Sequence, residues 1–310
     1  MTTAAERLKE HARNAPMPGT TARPPVEGMP LHIDGDYAAY YCAGNDETSP
    51  GTARQNLLDR IERAKQVSGA TRVIVHLSDR ACDKGLRFFV AQSKPYQGQR
   101  NTGRKPQNWD YLREYMETYE GDAFEVKNWI DREADDGMAY VSEAAYKIGR
   151  PGAVLTADKD MRMFAGLHIV WKTFEMVEVT PGTYDLMHDG KQYGHKWFWM
   201  QMLMGDTADN IMGLPRVGEV AAVKALAGTT SNAEAYPIVL DMYRSKMGDA
   251  YADHFVEQAA LLWMRTDKGA YLRNFAEALA LDWGTDVARA AVRMERRVME
   301  ERDALYASKA

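Results

Sequence analysis

The stretch NWIDREADDGMAYV, residues 128–141, places Asp131, Glu133, Asp135 and Asp136 within six positions. Acids in the first turn of a helix are favoured by the positive end of its dipole, at about 0.3–1 kcal/mol each. That accounts for one or two of them. It does not account for adjacent Asp135 and Asp136 together with Glu133, which repel one another unless something cationic sits among them. Further acids end short apolar runs: Asp34 closes PLHID, Asp79 closes TRVIVHLSD, and Asp158 closes GAVLTAD with Asp160 two residues on. Asp206 and Asp209 lie in a polar turn after the apolar WFWMQMLMG. An Asp at a strand end is often a turn residue or a helix cap, but nine acids from five segments do not stay ionised together without cations. Oxygen donors with no His or Cys partner suit hard ions, so Mg2+ or Mn2+ is expected rather than zinc. Two such ions about 3.5–4 Å apart clamp a phosphodiester and activate a water.

The elements that must position these acids read as α/β. PLHID, TRVIVHLSD and GAVLTAD are Val-, Ile- and Leu-rich runs bounded by Gly, Pro or Asp, with helical patterns over 52–67 and 133–148 between them. In the second of these, Ala134, Met138, Val141, Ala145 and Ile148 share one face. Strands alternating with helices predict a mostly parallel sheet, whose ligands bind beyond the carboxyl ends of the strands. Beyond about residue 195 helical patterns dominate; Gly213 and Gly218 bracket a tight connection into another apolar helix, and a charged surface helix is expected over 285–307.

Composition bounds the answer. The 310 residues are 45% hydrophobic and 27% charged, as in an ordinary soluble globular protein. No apolar run is long enough to span a membrane and no signal peptide is visible, so a cytoplasmic location is expected. Cys42 and Cys82 match no metal-ligand or redox spacing and read as reduced thiols. The seven histidines show no metal spacing, and without a GxxxxGK[ST] loop ATP-driven chemistry is not suggested. The net charge of −5 conceals a basic block, since Lys84, Arg87, Lys94, Arg100, Arg104 and Lys105 follow one another with no intervening acid. Such a block is a solvated loop or a phosphate-binding arm.

The blocks EADD (133–136), TADKD (156–160) and GDTADNIMGLPRVGEVAA (205–222) resemble the signatures of the 5′-nuclease, or flap-endonuclease-like, superfamily. IDGD, Ser78–Asp79 and KPYQGQR (94–100) fall in the matching order, and EQAALLWMR (257–265) makes the chain most similar to the 5′→3′ exonucleases of tailed phages. The resemblance covers roughly residues 31–267. It implies a metal-dependent 5′→3′ exonuclease acting on duplex DNA and RNA–DNA hybrids, with 5′-flap cleavage as a further activity, serving DNA replication and primer removal in a host cytoplasm. It implies Asp34, Asp79, Glu133 and Asp135 as ligands of a first metal, and Asp136, Asp158, Asp160, Asp206 and Asp209 as the group holding a second. It also implies a helix–three-turn–helix hairpin at 213–218 that grips duplex through Gly213, Arg216 and Gly218 and binds K+. An arch or clamp over 84–125 would place Tyr96 on a base, Arg100 on the scissile phosphate, and Arg104 and Lys105 on the strand. The domains expected are a disordered tail (1–30), a nuclease core (31–200), a DNA-binding region (201–270) and a helical extension (271–310), in a monomer.

The chain departs from the family at one catalytic position. The usual YKGNR reads Tyr96-Gln97-Gly98-Gln99-Arg100, so the arch lysine is replaced by Gln97, with Lys94 as a substitute if that segment is helical. Asp36 reads as an N-cap for a helix starting near Tyr37. Two alternatives stay open: a structure-specific DNA-binding protein with a vestigial site, and a PIN-type endoribonuclease, which lacks the glycine hairpin.

Overall fold

The computed structural model describes residues 21–99 and 104–308; most of the expected tail, and Arg100, lie outside them. Six strands form the main sheet in the order β3-β2-β1-β4-β5-β6, where β1 is Val26–Asp34, β2 Ala70–Ser78, β3 Glu125–Trp129, β4 Ala153–Thr156, β5 Gly166–Val170 and β6 Met176–Val179. All pairings are parallel except β5 with β6. Strand β1 begins at Val26, so residues 26–30 belong to the sheet and not to the expected tail.

Side-chain alternation divides the sheet between two cores. Leu31 and Ile33 of β1, Val73, Val75 and Leu77 of β2, and Ala153 and Leu155 of β4 face one side. There they pack on α1 (Gly35–Cys42), α2 (Pro50–Ser68) and α4 (Trp109–Glu117). Helix α2 is fixed at both ends: Ser49 Oγ accepts from Thr52 N, Pro50 opens the first turn, and Gly69 closes it at φ 75°. The intervening residues face the other side. His32 and His76 form a buried pair there, Nδ1 to Nε2 at 2.9 Å, and His76 Nδ1 accepts from Trp129 Nε1 at 3.0 Å. That bond leaves the His76 proton on Nε2, so both rings are neutral. Burial, and then Arg72, pushes His32 down to about 4.

Helix α5 (Ala134–Lys147) covers this second face, opened by a capping box in which Glu133 and Asp136 serve each other's backbone. Its buried residues include Ala134, Gly137, Met138, Ala139 and Ser142, while Ile148, expected on the buried face, is 70% exposed beyond the last turn. Gly137 is required, because a Cβ there would lie 2.1 Å from the Trp129 ring. Behind α5 stand the helices of the C-terminal half: α6 (Lys196–Met204), α7 (Glu219–Ala225), α8 (Asn232–Met247), α9 (Tyr251–Leu262), α10 (Asn274–Leu279) and α11 (Gly284–Ala307). The short α3 (Arg87–Val90) joins them, and the hairpin of β7 (Leu186–His188) and β8 (Lys191–Tyr193) precedes them. Helix α11 is charged on its outer face but buries Val287, Ala290, Ala291, Met294 and Val298 in the core shared with α9.

The connection after α6 depends on two glycines. Gly205 (φ 74°) and Gly213 (φ 60°) cross backbone to backbone, and a Cβ on Gly213 would lie 2.2 Å from Gly205 N. Between them Asp206 and Ile211 exchange hydrogen bonds, N to O, at 2.9 and 2.7 Å. Gly218, the other glycine expected to be special, has φ −101°, and a Cβ placed on it would meet nothing within 4 Å. Gly213→Ala should therefore cost about 3 kcal/mol or more, since it combines left-handed strain with a backbone clash. Gly218→Ala should stay within about 0.5 kcal/mol; urea unfolding of the two variants distinguishes these outcomes.

Candidate metal centre

Strands β1 and β4 are neighbours, but the chain leaves them toward opposite faces of the sheet: β1 runs into α1, and β4 runs by way of Asp160–Met163 toward the C-terminal half. This is the switch point at which an open parallel sheet forms a crevice. Asp34 lies at its floor as the N-cap of α1, with Oδ1 accepting from Tyr37 N and Oδ2 from Thr156 Oγ1, both at 2.9 Å. Asp36, expected to be that cap, instead accepts from Ser78 N and pairs with the buried Arg113.

Two groups of acids face this crevice. One oxygen from each of Glu133, Asp135 and Asp136 lies within 4.8 Å of the others, and so does one from each of Asp160, Asp206 and Asp209. The grouping differs from the expected one. Asp136 stands with Glu133 and Asp135, and it is the most committed acid: its fully buried carboxylate accepts from Arg87 Nη1 and Nη2 (both 2.7 Å), Glu133 N and Arg265 N. Asp34 and Asp79 fall outside both groups, with Asp79 Oδ1 held by Ala81 N at 2.8 Å. Beyond burial, Asp158 raises both Asp135 of one group and Asp160 of the other, and its Oδ1 accepts from Asp160 N at 2.7 Å.

Residues 95–99 tie the groups together. Tyr96 is buried, not free to stack on a base; its hydroxyl donates to Glu133 Oε2 at 2.8 Å and reaches Asp209 Oδ2 at 3.4 Å. Gln97 Nε2 likewise reaches Asp209 Oδ1 (3.0 Å) and Glu133 Oε1 (3.3 Å). Gln99 and Asn210 complete the contact, through Thr207 O and Pro95 O. Lys94 is exposed on a bend, so it does not sit one helical turn from Gln97. Nor does the described part of 84–125 stand free as an arch, because α4 buries Leu112, Arg113 and Met116 against the sheet side. Arg104 pairs with Asp46, and Lys105 lies 3.6 Å above the Trp109 ring. Arg216 is exposed at φ 60° on the turn before α7.

The charges are only partly balanced from within. Burial, followed by Glu133 and Asp136, pushes Asp135 well above the ordinary carboxylate range. Burial raises Asp158 to about 6, with Asp34 and Asp209 adding to it, and raises Asp160 to about 7, with Asp158 and Asp206 adding. Among the described residues, three cations answer them. Lys84 Nζ donates to Glu133 Oε1 at 2.7 Å, Arg87 holds Asp136, and Lys159 Nζ bridges Asp206 (2.5 Å) and Asp160 (3.4 Å). Lys159 lies inside the TADKD block, where a cation between two aspartates is the visible sign of this role. Oxygen-only donor sets with carboxylates raised by mutual repulsion fit hard divalent ions.

No family model matches the chain. It is 30% identical over 162 residues to DNA polymerase I of Bacillus caldotenax and 31% identical over 142 residues to that of Bacillus subtilis. These matches cover 49% and 43% of this chain but only 18% and 15% of the polymerases, so the chain spans under a fifth of their length. Among solved structures it resembles the bacteriophage T5 D15 flap endonuclease bound to DNA and metal ions (TM-score 0.57, 14% identity, 87% of this chain and 99% of that one). It also resembles the T5 5′-exonuclease with bound zinc (TM-score 0.57, 15% identity, 87% and 98%). In fold the chain is thus similar to these T5 nucleases, and over about half of its length it is similar in sequence to a segment of the polymerases.

Proposed function

We propose that the chain is a metal-dependent 5′→3′ exonuclease that hydrolyses phosphodiesters of duplex DNA and RNA–DNA hybrids, with 5′-flap cleavage as a further activity. The observation that carries this reading is the pair of carboxylate groups facing one crevice at the ends of β1 and β4, beside the glycine-braced turn at 205–213. Two Mg2+ or Mn2+ ions held by these groups would supply Lewis-acid stabilisation of the attacking and leaving oxygens. Glu133 and Asp135 would hold one, Asp160, Asp206 and Asp209 the other, and Asp158 would serve both. Asp34 and Asp136 orient their neighbours, one through Thr156 and the other through Arg87. The exposed turn carrying Arg216 and the start of α7 at Gly218 form the candidate duplex-gripping surface, and its carbonyls are the candidate K+ ligands.

The test is digestion of a nicked duplex labelled at the 5′ end of the nicked strand, with Mg2+ or with EDTA. Release of short products that needs Mg2+ is expected, and Asp158→Ala or Asp135→Ala should reduce it at least about 100-fold. Both variants should bind the duplex as tightly as the parent or more so, since a removed carboxylate no longer repels phosphate. Tight binding with no release under Mg2+ and Mn2+ alike would favour the DNA-binding alternative.

A second test uses stability. Asp158 and Asp160 have folded-state values raised above the usual carboxylate value, so the metal-free fold binds more protons than the unfolded chain between about pH 4 and 7. Their contribution therefore grows as pH falls through 7 and is lost as pH rises. Divalent ions replace those protons, so Mg2+ should raise Tm by several degrees at pH 8 and by almost nothing at pH 5. Differential scanning calorimetry over that range checks it; an increment independent of pH counts against these acids as ligands.

A further inference from the structure

Among the described residues, the cations that touch the two carboxylate groups are Lys84, Arg87 and Lys159, and their situations differ. Arg87 is buried and committed, donating to Asp136, Leu261 O and Trp263 O. Lys159 is clasped between two aspartates. Lys84 has a single carboxylate partner, Glu133, and a side chain 26% exposed. Gln97 Nε2 ends on the same Glu133 oxygen, Oε1, that Lys84 Nζ holds. An ammonium and a neutral amide thus arrive at one point from two segments.

The backbone that delivers Lys84 is unusual. Lys84, Gly85 and Leu86 have φ of 54°, 62° and 61°, three consecutive left-handed residues of which only one is glycine. Such strain persists where the surroundings over-determine it, and it concentrates at functional positions. Here Arg87 Nη1 fastens Lys84 O at 3.2 Å, and Arg265 Nη2 fastens Gly85 O at 3.2 Å. The turn is thereby held with the Lys84 stem directed at Glu133.

We propose that Lys84 is a cation that contacts the scissile phosphate of this site, making good the missing charge at Gln97. Glu133 holds the ammonium in reserve; once that carboxylate is taken by a divalent ion, the flexible lysine stem carries the charge to the phosphate arriving beside it. The proposal rests on the nuclease reading of the site.

The experiment measures two quantities on Lys84→Ala and Lys84→Asn, the second because asparagine tolerates a left-handed backbone. The first is cleavage of the nicked duplex in Mg2+. The second is duplex affinity against salt concentration, with Ca2+ in place of Mg2+ and again in EDTA. Both variants should lose about 10-fold or more in turnover, and Gln97→Lys added to either should restore most of it. In Ca2+ the slope of log affinity on log salt should shrink by about one for the lost phosphate contact, with no such change in EDTA. Variants within twofold of the parent, with an unchanged slope in Ca2+, would overturn the proposal while leaving the nuclease reading intact. A parent that releases nothing overturns the nuclease reading, and the Ca2+ slope then still decides whether Lys84 meets a phosphate.

Discussion

The pairing of Arg87 with Asp136 is the constraint on which the rest of the molecule depends. Burial works against both charges, yet each partner holds the other ionised: Asp136 stays below the ordinary carboxylate value and Arg87 well above its own. Removing one partner of such a pair leaves an uncompensated buried charge, at a cost of about 3–5 kcal/mol. Its reach explains its weight. Arg87 fastens the end of α9 through Leu261 O and Trp263 O, and Asp136 fastens Arg265 N, so the first turn of α5 and the C-terminal helices are locked at one point. Arg132, also buried, adds bonds to Arg265 O, Asp267 O and Lys268 O beside it. The sheet half and the helical half therefore share a seam, and the carboxylate groups sit along it.

That arrangement bears on how the charges of the site are balanced from within the chain. Lys84 and Lys159 each lend a charge to one group, while Tyr96 and Gln97 span the gap with hydrogen bonds. The acids are thus neither fully neutralised nor left bare. What remains unbalanced shows in the raised Asp135, Asp158 and Asp160 carboxyls, the groups that gain most from a divalent neighbour.

Much of this is legible in the sequence, for physical reasons. Apolar runs ending in acids locate β1, β2 and β4 nearly to the residue at their carboxyl ends, because side chains buried on both faces leave a continuous Val, Ile and Leu signature. The EADD block announces a helix start loaded with charge. What stays hidden depends on contacts between distant segments. Nothing in the spacing distinguishes Asp135 from Asp136, since only the arrival of Arg87 from 49 residues away commits one of them. Tyr96 reads as an exposed aromatic among cations, and only the folded loop shows its hydroxyl turned onto Glu133. Lys84 reads as one charge in a basic block, although its left-handed backbone sets it apart from the block's other described cations. Gly205 carries no local signal because its partner, Gly213, lies across a turn rather than along a helix.

The crossing of those two glycines reaches further than the turn itself. Side chains adapt to a neighbour by changing rotamer, whereas main chain against main chain has no such freedom. Asp206 and Asp209 are carried on the loop between the crossing points, so the course of their main chain is fixed by that crossing. An ion held by these two acids would meet a stiff frame, and a stiff frame suits a small ion with strict octahedral demands better than a larger one that needs its ligands to spread.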